Sequence, residues 1–430
     1  MTTTTEPPIL DGGAVAEDYP LSAVPLRARK SLISLAPILI GFTLYSGTLF
    51  AGGLVGPSFR FWPDLITLIV VGNLILGVYA ALLGFIAART GLTTVLMARF
   101  SFGNVGSRWV DFILGFTQIG WYAWGSALMA QLLNTLIGVP ESWNWLLILI
   151  FTYACCSTAY FGYKAMDWLS RLAVPAMVIL MGWSLTIAAN DVGGFAGLQN
   201  TELADPLPIG AAITIIVGTF VSGGTQATNW SRFAPSGTVG FFATLIAFFL
   251  GNGFLIFSGA FAAKVYGNPD IVEVMATQNL LIWGLILFFL NMWTTQDNTI
   301  YAFSIAGSNM FRTTKRTLFV LGGATFALIL AWGGIYEMLV SYLILLGTFI
   351  PPIGGIIMAD YWVNRRGQFP ALESAQPAFN WAGVIAYVGA SAIAYITNHF
   401  GWGIVPINGI ISAAIIYVFL TKTVFKSVNS

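Results

Sequence analysis

The sequence predicts an all-α polytopic membrane protein, and three observations carry that prediction. The chain is 57% hydrophobic and only 8% charged, against about a quarter charged in soluble globular proteins, so an ordinary solvated surface is excluded. Apolar runs recur along nearly the whole length, each close to the ~20 residues a helix needs to cross ~30 Å of hydrocarbon. They lack the period-two alternation of membrane barrel strands. The partner this composition implies is the lipid bilayer; a net charge of +1 gives no footing for nucleic acid.

Taken in order, residues 1–26 (MTTTTEPPILDGGAVAEDYPLSAVPL) are Thr-, Pro- and acid-rich without an amphipathic period, which reads as a disordered cytoplasmic tail. No basic stretch leads into a short apolar one there, so no cleaved signal peptide is expected. Hydropathy then gives twelve spans: 31–53, 63–88, 109–137, 143–163, 168–189, 209–232, 238–264, 277–304, 317–333, 338–361, 379–397 and 402–421. With the N-terminus in the cytoplasm, only Arg60 and Lys264 of the 18 basic residues fall outside. The positive-inside pattern therefore places both termini in the cytoplasm of a multi-pass inner-membrane protein and requires an even number of spans. The polar, Gly/Pro-rich connection 190–208 is a natural joint between 27–190 (spans one to five) and 191–361 (spans six to ten), leaving 362–430 for two further spans and a tail. If those halves are inverted repeats, binding sites belong at their interface, where spans one and six should be interrupted.

Both look interrupted. Span one reads PILIGFTLYSGTLFAGG (37–53) and span six IIVGTFVSGGTQATNWSRF (215–233). Each sets Gly, Ser and Thr at mid-membrane. Small residues also serve close helix packing, but two such segments at matching positions favour unwound backbone, which the membrane interior tolerates only beside a cavity. In span three, FTQIGWYAWG (116–125) puts Gln118 and Trp121 on one face, three residues apart: a hydrogen-bonding fork beside a flat apolar ring. The adjacent Cys155 and Cys156 read as small buried residues rather than a disulfide, and the single His399 as a structural or solvated loop residue.

Span eight carries NMWTTQDN (291–298) after the apolar run NLLIWGLILFFL. At about 100° per residue, Asn291, Thr294, Thr295 and Asn298 share a stripe while Gln296 points elsewhere. Hydroxyls and backbone carbonyls are hard neutral donors suited to a small alkali cation; back-bonding of the hydroxyls to the preceding turn is the plain alternative. Asp297 is the one carboxylate deep in a span, and an intramembrane ionisable group is a functional candidate by default.

These blocks, with GNLILGVYAALLGFIAARTGLTTVLMARFSFG (72–103), FTQIGWY (116–122), LNMWTTQDN (290–298) and IPPIGGIIMADYWVNRR (350–366), resemble the nucleobase:cation symporters, most closely their bacterial cytosine-permease branch, over roughly 27–421. The resemblance implies a leucine-transporter-type fold, two inverted five-helix repeats plus two peripheral helices. It implies a base held between Trp121 and Phe220, hydrogen-bonded by Gln118, with further contacts from Thr219, Ser222 and Gly77, and with Gln296 beside it. It places a sodium ion at the Thr294 and Thr295 hydroxyls, the Asn291 carbonyl, and the carbonyls of Gly41 and Leu44. Gln296 and Asn229 depart from the residues expected of cytosine permeases, Asn and an acid, which leaves the base open: cytosine first, then another oxo- or aminopyrimidine or a purine.

The function expected is sodium-coupled import of a nucleobase by a monomer. Proton coupling through Asp297 is the nearest rival. A channel lacks a continuous polar stripe on several helices, and an intramembrane enzyme lacks a recognisable metal motif or dyad.

Overall fold

The computed structural model describes residue 19 and residues 21–425 apart from 162 and 205, without the side chains of 135–137, 161–172, 272 and 287. Most of the expected tail, Lys426, and the side chains of Lys164 and Arg171 lie outside this description. Among the described residues every regular element is a helix. Span one is a bent pair, Leu32–Thr43 and Gly47–Val55; spans two to five are Phe61–Thr90, Ser107–Ile137, Asn144–Phe161 and Tyr163–Asp191. Span six is again a bent pair, Ile209–Gly218 and Val221–Ser231, and span seven is Gly237–Tyr266. Spans eight to twelve are Leu281–Met310, Arg316–Trp332, Ile335–Asn364, Trp381–His399 and Val405–Thr423. Each expected span thus maps onto one helix or one bent pair. The bent spans one and six are each followed by a 30-residue span, and spans three and eight run to 31 and 30 residues.

The bends are 57° in span one and 47° in span six. Leu44 leaves the helical region (φ −83°, ψ 68°). Its amide still closes on the Ile40 carbonyl, and the next backbone bond is from Thr48 to Tyr45. Between them no backbone amide reaches the carbonyls of Gly41, Phe42 or Thr43, and such groups need other partners inside a membrane. In span six the break falls at Phe220 (φ −135°, ψ 10°). Neither break residue is a glycine. The flanking glycines serve close approach instead: a Cβ on Gly218 would stand 2.5 Å from the Leu343 carbonyl oxygen. The packing reading and the unwinding reading of these segments therefore both hold.

Span three lies along span eight, and span seven packs against span two and the second half of span one. Three details differ from expectation. Residues 21–26 are not a loose tail: Val24 is buried and its amide donates to the Gly91 carbonyl at 2.9 Å, because an apolar side chain there finds cover. The connection between spans two and three contains a helix, Thr94–Phe102, whose N-terminus Thr93 caps by accepting from the Leu96 amide. His399 is the exposed last residue of span eleven rather than a loop residue. Cys155 and Cys156 are free and buried.

Candidate functional site

A tight cavity, with about 10 Å³ of free space, lies between the two breaks. Span one contributes Phe42 and Tyr45, span three Gln118 and Trp121, span six Thr219, Phe220, Ser222 and Gly223, and span eight Thr295 and Thr299. Its free space is room for about one water, far below the ~300 Å³ at the low end of small-molecule sites, so the walls, four of whose ten residues are aromatic, must part to admit a ligand. Trp121 meets Tyr45 edge to face at 5.3 Å between ring centres, and Phe220 meets Phe42 at 5.2 Å and Tyr45 at 6.2 Å. Tyr45 thus stands edge-on between Trp121 and Phe220. The Trp121 indole N–H donates to the Ser222 hydroxyl at 3.3 Å, joining spans three and six across the cavity.

Two polar groups in this wall have no partner among the described residues: Gln118 Nε2 and the Tyr45 hydroxyl, on side chains that are each 2% exposed. Leaving a buried donor unpaired costs about 1–3 kcal/mol. Such groups persist where a ligand completes them. Flat apolar faces with an amide donor and a hydroxyl suit a planar heterocycle carrying acceptors on its edge.

Behind Thr295 lies the second cluster. The Asn291 carbonyl of span eight accepts from the Thr294 hydroxyl at 2.7 Å and from that of Thr295 at 3.3 Å. The Asn291 side chain reaches the break in span one, donating to the Leu44 carbonyl and accepting the Ser46 hydroxyl at 2.7 Å. Asn291, Thr294, Thr295 and Leu44 are thereby brought together, and Gly41 lies one turn before Leu44 with a carbonyl free of backbone donors. The donors are neutral oxygens, the chemistry of an alkali-cation site rather than of a zinc site. Among the described residues no group of three or more His, Cys, Asp or Glu could hold a metal. Both the cation reading and the back-bonding reading of the threonines fit this geometry.

Four residues named from sequence lie elsewhere. Gly77 is outside the cavity wall, where a Cβ would meet Leu245 and Phe249 of span seven. Gln296 turns toward span three, its Nε2 donating to the Tyr122 carbonyl at 2.6 Å and the Ser126 hydroxyl at 3.2 Å. It is one residue, hence about 100°, off the cavity face that Thr295 and Thr299 share. Asp297 faces span four, beside Thr158 and near Cys155. Asn229 is buried about two turns beyond Ser222, outside the cavity wall. Sequence reasoning missed Phe42, Tyr45, Gly223 and Thr299. The i, i+4 step from Thr295 could have found Thr299, whereas Tyr45 sits in unwound backbone where no periodicity gives a direction.

Comparison with known proteins bears on the family and the fold. Residues 24–376 match the family described as permease for cytosine/purines, uracil, thiamine, allantoin. The cytosine permease of Escherichia coli is 36% identical over 397 residues, covering 92% of each chain. The hydantoin permease of Microbacterium maritypicum is 22% identical, covering 95% of this chain and 89% of that one. Among solved structures, Mhp1, a nucleobase-cation-symport-1 family transporter in a closed conformation with bromovinylhydantoin bound, matches with a TM-score of 0.81 at 20% identity over 95% of each chain. A Na+-coupled sialic acid symporter in a substrate-bound outward-open state matches at 0.64 and 15% identity, over 92% of this chain and 90% of that one. At those identities the two structures bear on the fold alone. With most of its length matched, this chain belongs to the family of permeases for cytosine/purines, uracil, thiamine and allantoin, as a multi-pass membrane transporter and not an enzyme.

Proposed function

We propose that this permease imports a nucleobase, cytosine first, by alternating access coupled to sodium. The observation that carries the reading is the pairing of Trp121 with the partnerless Gln118 Nε2 in a tight cavity between two broken helices. Stacking on an aromatic face is worth roughly 1–3 kcal/mol and is indifferent to which base is bound. Discrimination then falls to the donors, Gln118 Nε2 and the Tyr45 hydroxyl, which pair with the carbonyl and ring-nitrogen acceptors of an oxo/aminopyrimidine. The E. coli relative's name supports cytosine over the other bases.

Sodium sits between spans one and eight, held by the hydroxyls of Thr294 and Thr295, the Asn291 carbonyl, and carbonyls of Gly41 and Leu44. Thr295 touches both sites, so ion and base favour the same arrangement of spans one and eight. Linkage then requires each to tighten the other by the same factor. A neutral base moving with one cation gains ~2.3 kcal/mol per 100 mV of inward potential. The halves 27–190 and 191–361 work as inverted repeats, both termini face the cytoplasm, and the path lies within one chain, so a monomer suffices.

The reading is tested with purified protein by thermal shift over a panel of bases, with and without sodium. Cytosine is expected to raise the melting temperature, and more so in sodium. A shift from another base with none from cytosine overturns the choice of substrate.

A further inference from the structure

Span seven is not a plain α-helix: residues Ala247–Asn252 form a wide π-helical turn, a device that frees backbone groups and recurs at functional positions. Its two ends meet span one on either side of the break. At one end the Ala247 carbonyl accepts the Thr43 hydroxyl at 2.8 Å. At the other the Asn252 Oδ1 accepts the Thr48 hydroxyl at 3.1 Å. Between them Gly251 lets Thr43 approach; a Cβ there would stand 2.1 Å from the Thr43 hydroxyl oxygen.

The same Asn252 oxygen lies 3.2 Å from the hydroxyl of Thr219, at the break of span six and in the cavity wall, a hydroxyl that also stands 2.6 Å from the Ile216 carbonyl. Its amide nitrogen is spent on Asn73 Oδ1 of span two at 2.8 Å, and Asn73 in turn donates to the Ile69 carbonyl at 2.8 Å. Asn73 fixes which way the Asn252 amide faces, so its acceptor is aimed at the two broken helices. Asn252 is fully buried, and a satisfied buried network of this kind is rigid and directional.

We propose that Asn252 is a positioning residue that makes the breaks of spans one and six move as one unit. The route runs from the cation cluster at Asn291, through Leu44 and Ser46, to Thr48, Asn252, Thr219 and the cavity. Thr295 offers a direct path between ion and base as well, and Asn252 adds the concerted adjustment of the two unwound segments. This inference rests on the sodium-coupled reading above.

The test is equilibrium binding of labelled cytosine to the purified full-length protein, with and without sodium. The quantity read is the ratio of the two dissociation constants, a coupling that a merely structural residue does not move. Couplings between sites of this kind run to about 5–150-fold. Asn252→Ala is expected to reduce the wild-type ratio about fivefold or more while retaining sodium-free binding within a few fold. Thr48→Val, which keeps side-chain volume and deletes one bond to Asn252, is expected to reduce it in the same direction and serves if Asn252→Ala does not fold. Asn380→Ala removes a buried asparagine whose partners are Tyr417 and Phe100 and is expected to leave the ratio unchanged. A wild-type ratio above one that survives in folded Asn252→Ala or Thr48→Val overturns this inference alone. A wild-type ratio of one overturns the sodium reading and this inference with it.

Discussion

Asn291 of span eight donates its side-chain amide to the Leu44 carbonyl while its Oδ1 accepts the Ser46 hydroxyl at 2.7 Å. One side chain thus holds both edges of the break in span one, from the residue whose carbonyl accepts the Thr294 and Thr295 hydroxyls. Asn291→Ala keeps that carbonyl but leaves two buried groups of span one without a partner, at about 1–3 kcal/mol for each unsatisfied group. A lower melting temperature in sodium-free detergent solution is the expected result, with part of the loss regained on adding sodium. An unchanged melting temperature would show that Asn291 does not hold the break.

Gln118 separates stability from function. Its Nε2 is buried without a partner among the described residues, so Gln118→Leu removes an unpaired polar group from an apolar wall. The substituted protein is expected to melt at or above the wild-type temperature without base, and to lose cytosine binding by tenfold or more. Loss of stability together with full binding would sink the assignment.

Trp121 and Phe220 test stacking. Trp121→Ala and Phe220→Ala are each expected to weaken cytosine binding by roughly 5–150-fold, the equivalent of 1–3 kcal/mol, with Trp121→Phe much milder. Equal losses for cytosine and uracil would mark the effect as stacking; a loss confined to one base would point to hydrogen bonding instead.

Gly223 sets the room in the cavity. A Cβ there would lie 2.8 Å from the Phe220 ring and 2.9 Å from that of Phe42, tighter than those rings can accept without moving. Gly223→Ala is expected to fold, to raise the KM for uptake severalfold, and to be tolerated better by smaller ligands. Unaltered cytosine affinity would mean the base binds elsewhere.

Asp297 separates sodium from proton coupling. Its carboxylate faces Thr158 and Cys155 of span four, away from the cavity. Asp297→Asn is therefore expected to retain sodium-dependent uptake, measured in vesicles at constant pH. Uptake lost in this variant while sodium still shifts its melting point would implicate the carboxylate in coupling.

Much of the fold was legible because hydropathy and charge placement are properties of whole segments. The breaks were legible too, since Gly, Ser and Thr at mid-membrane in spans one and six stand out against apolar runs. The glycines misled in detail: Leu44 and Phe220 carry the irregular backbone, while Gly218 makes room for the Leu343 carbonyl. The helix Thr94–Phe102 escaped notice because nine residues including Arg99 and Ser101 read as a connection. Helical spacing moved Gln296 off the cation stripe, but only tertiary packing shows that it turns to Tyr122 and Ser126. Tyr45 lies where the chain leaves the helix, so its place between Trp121 and Phe220 was beyond any periodic argument.

Whether sodium drives base uptake is decided by the accumulation of labelled cytosine in proteoliposomes. An inward sodium gradient is expected to accumulate cytosine above its external concentration, with choline in place of sodium abolishing accumulation. Equal accumulation in sodium and choline would show that sodium does not drive uptake.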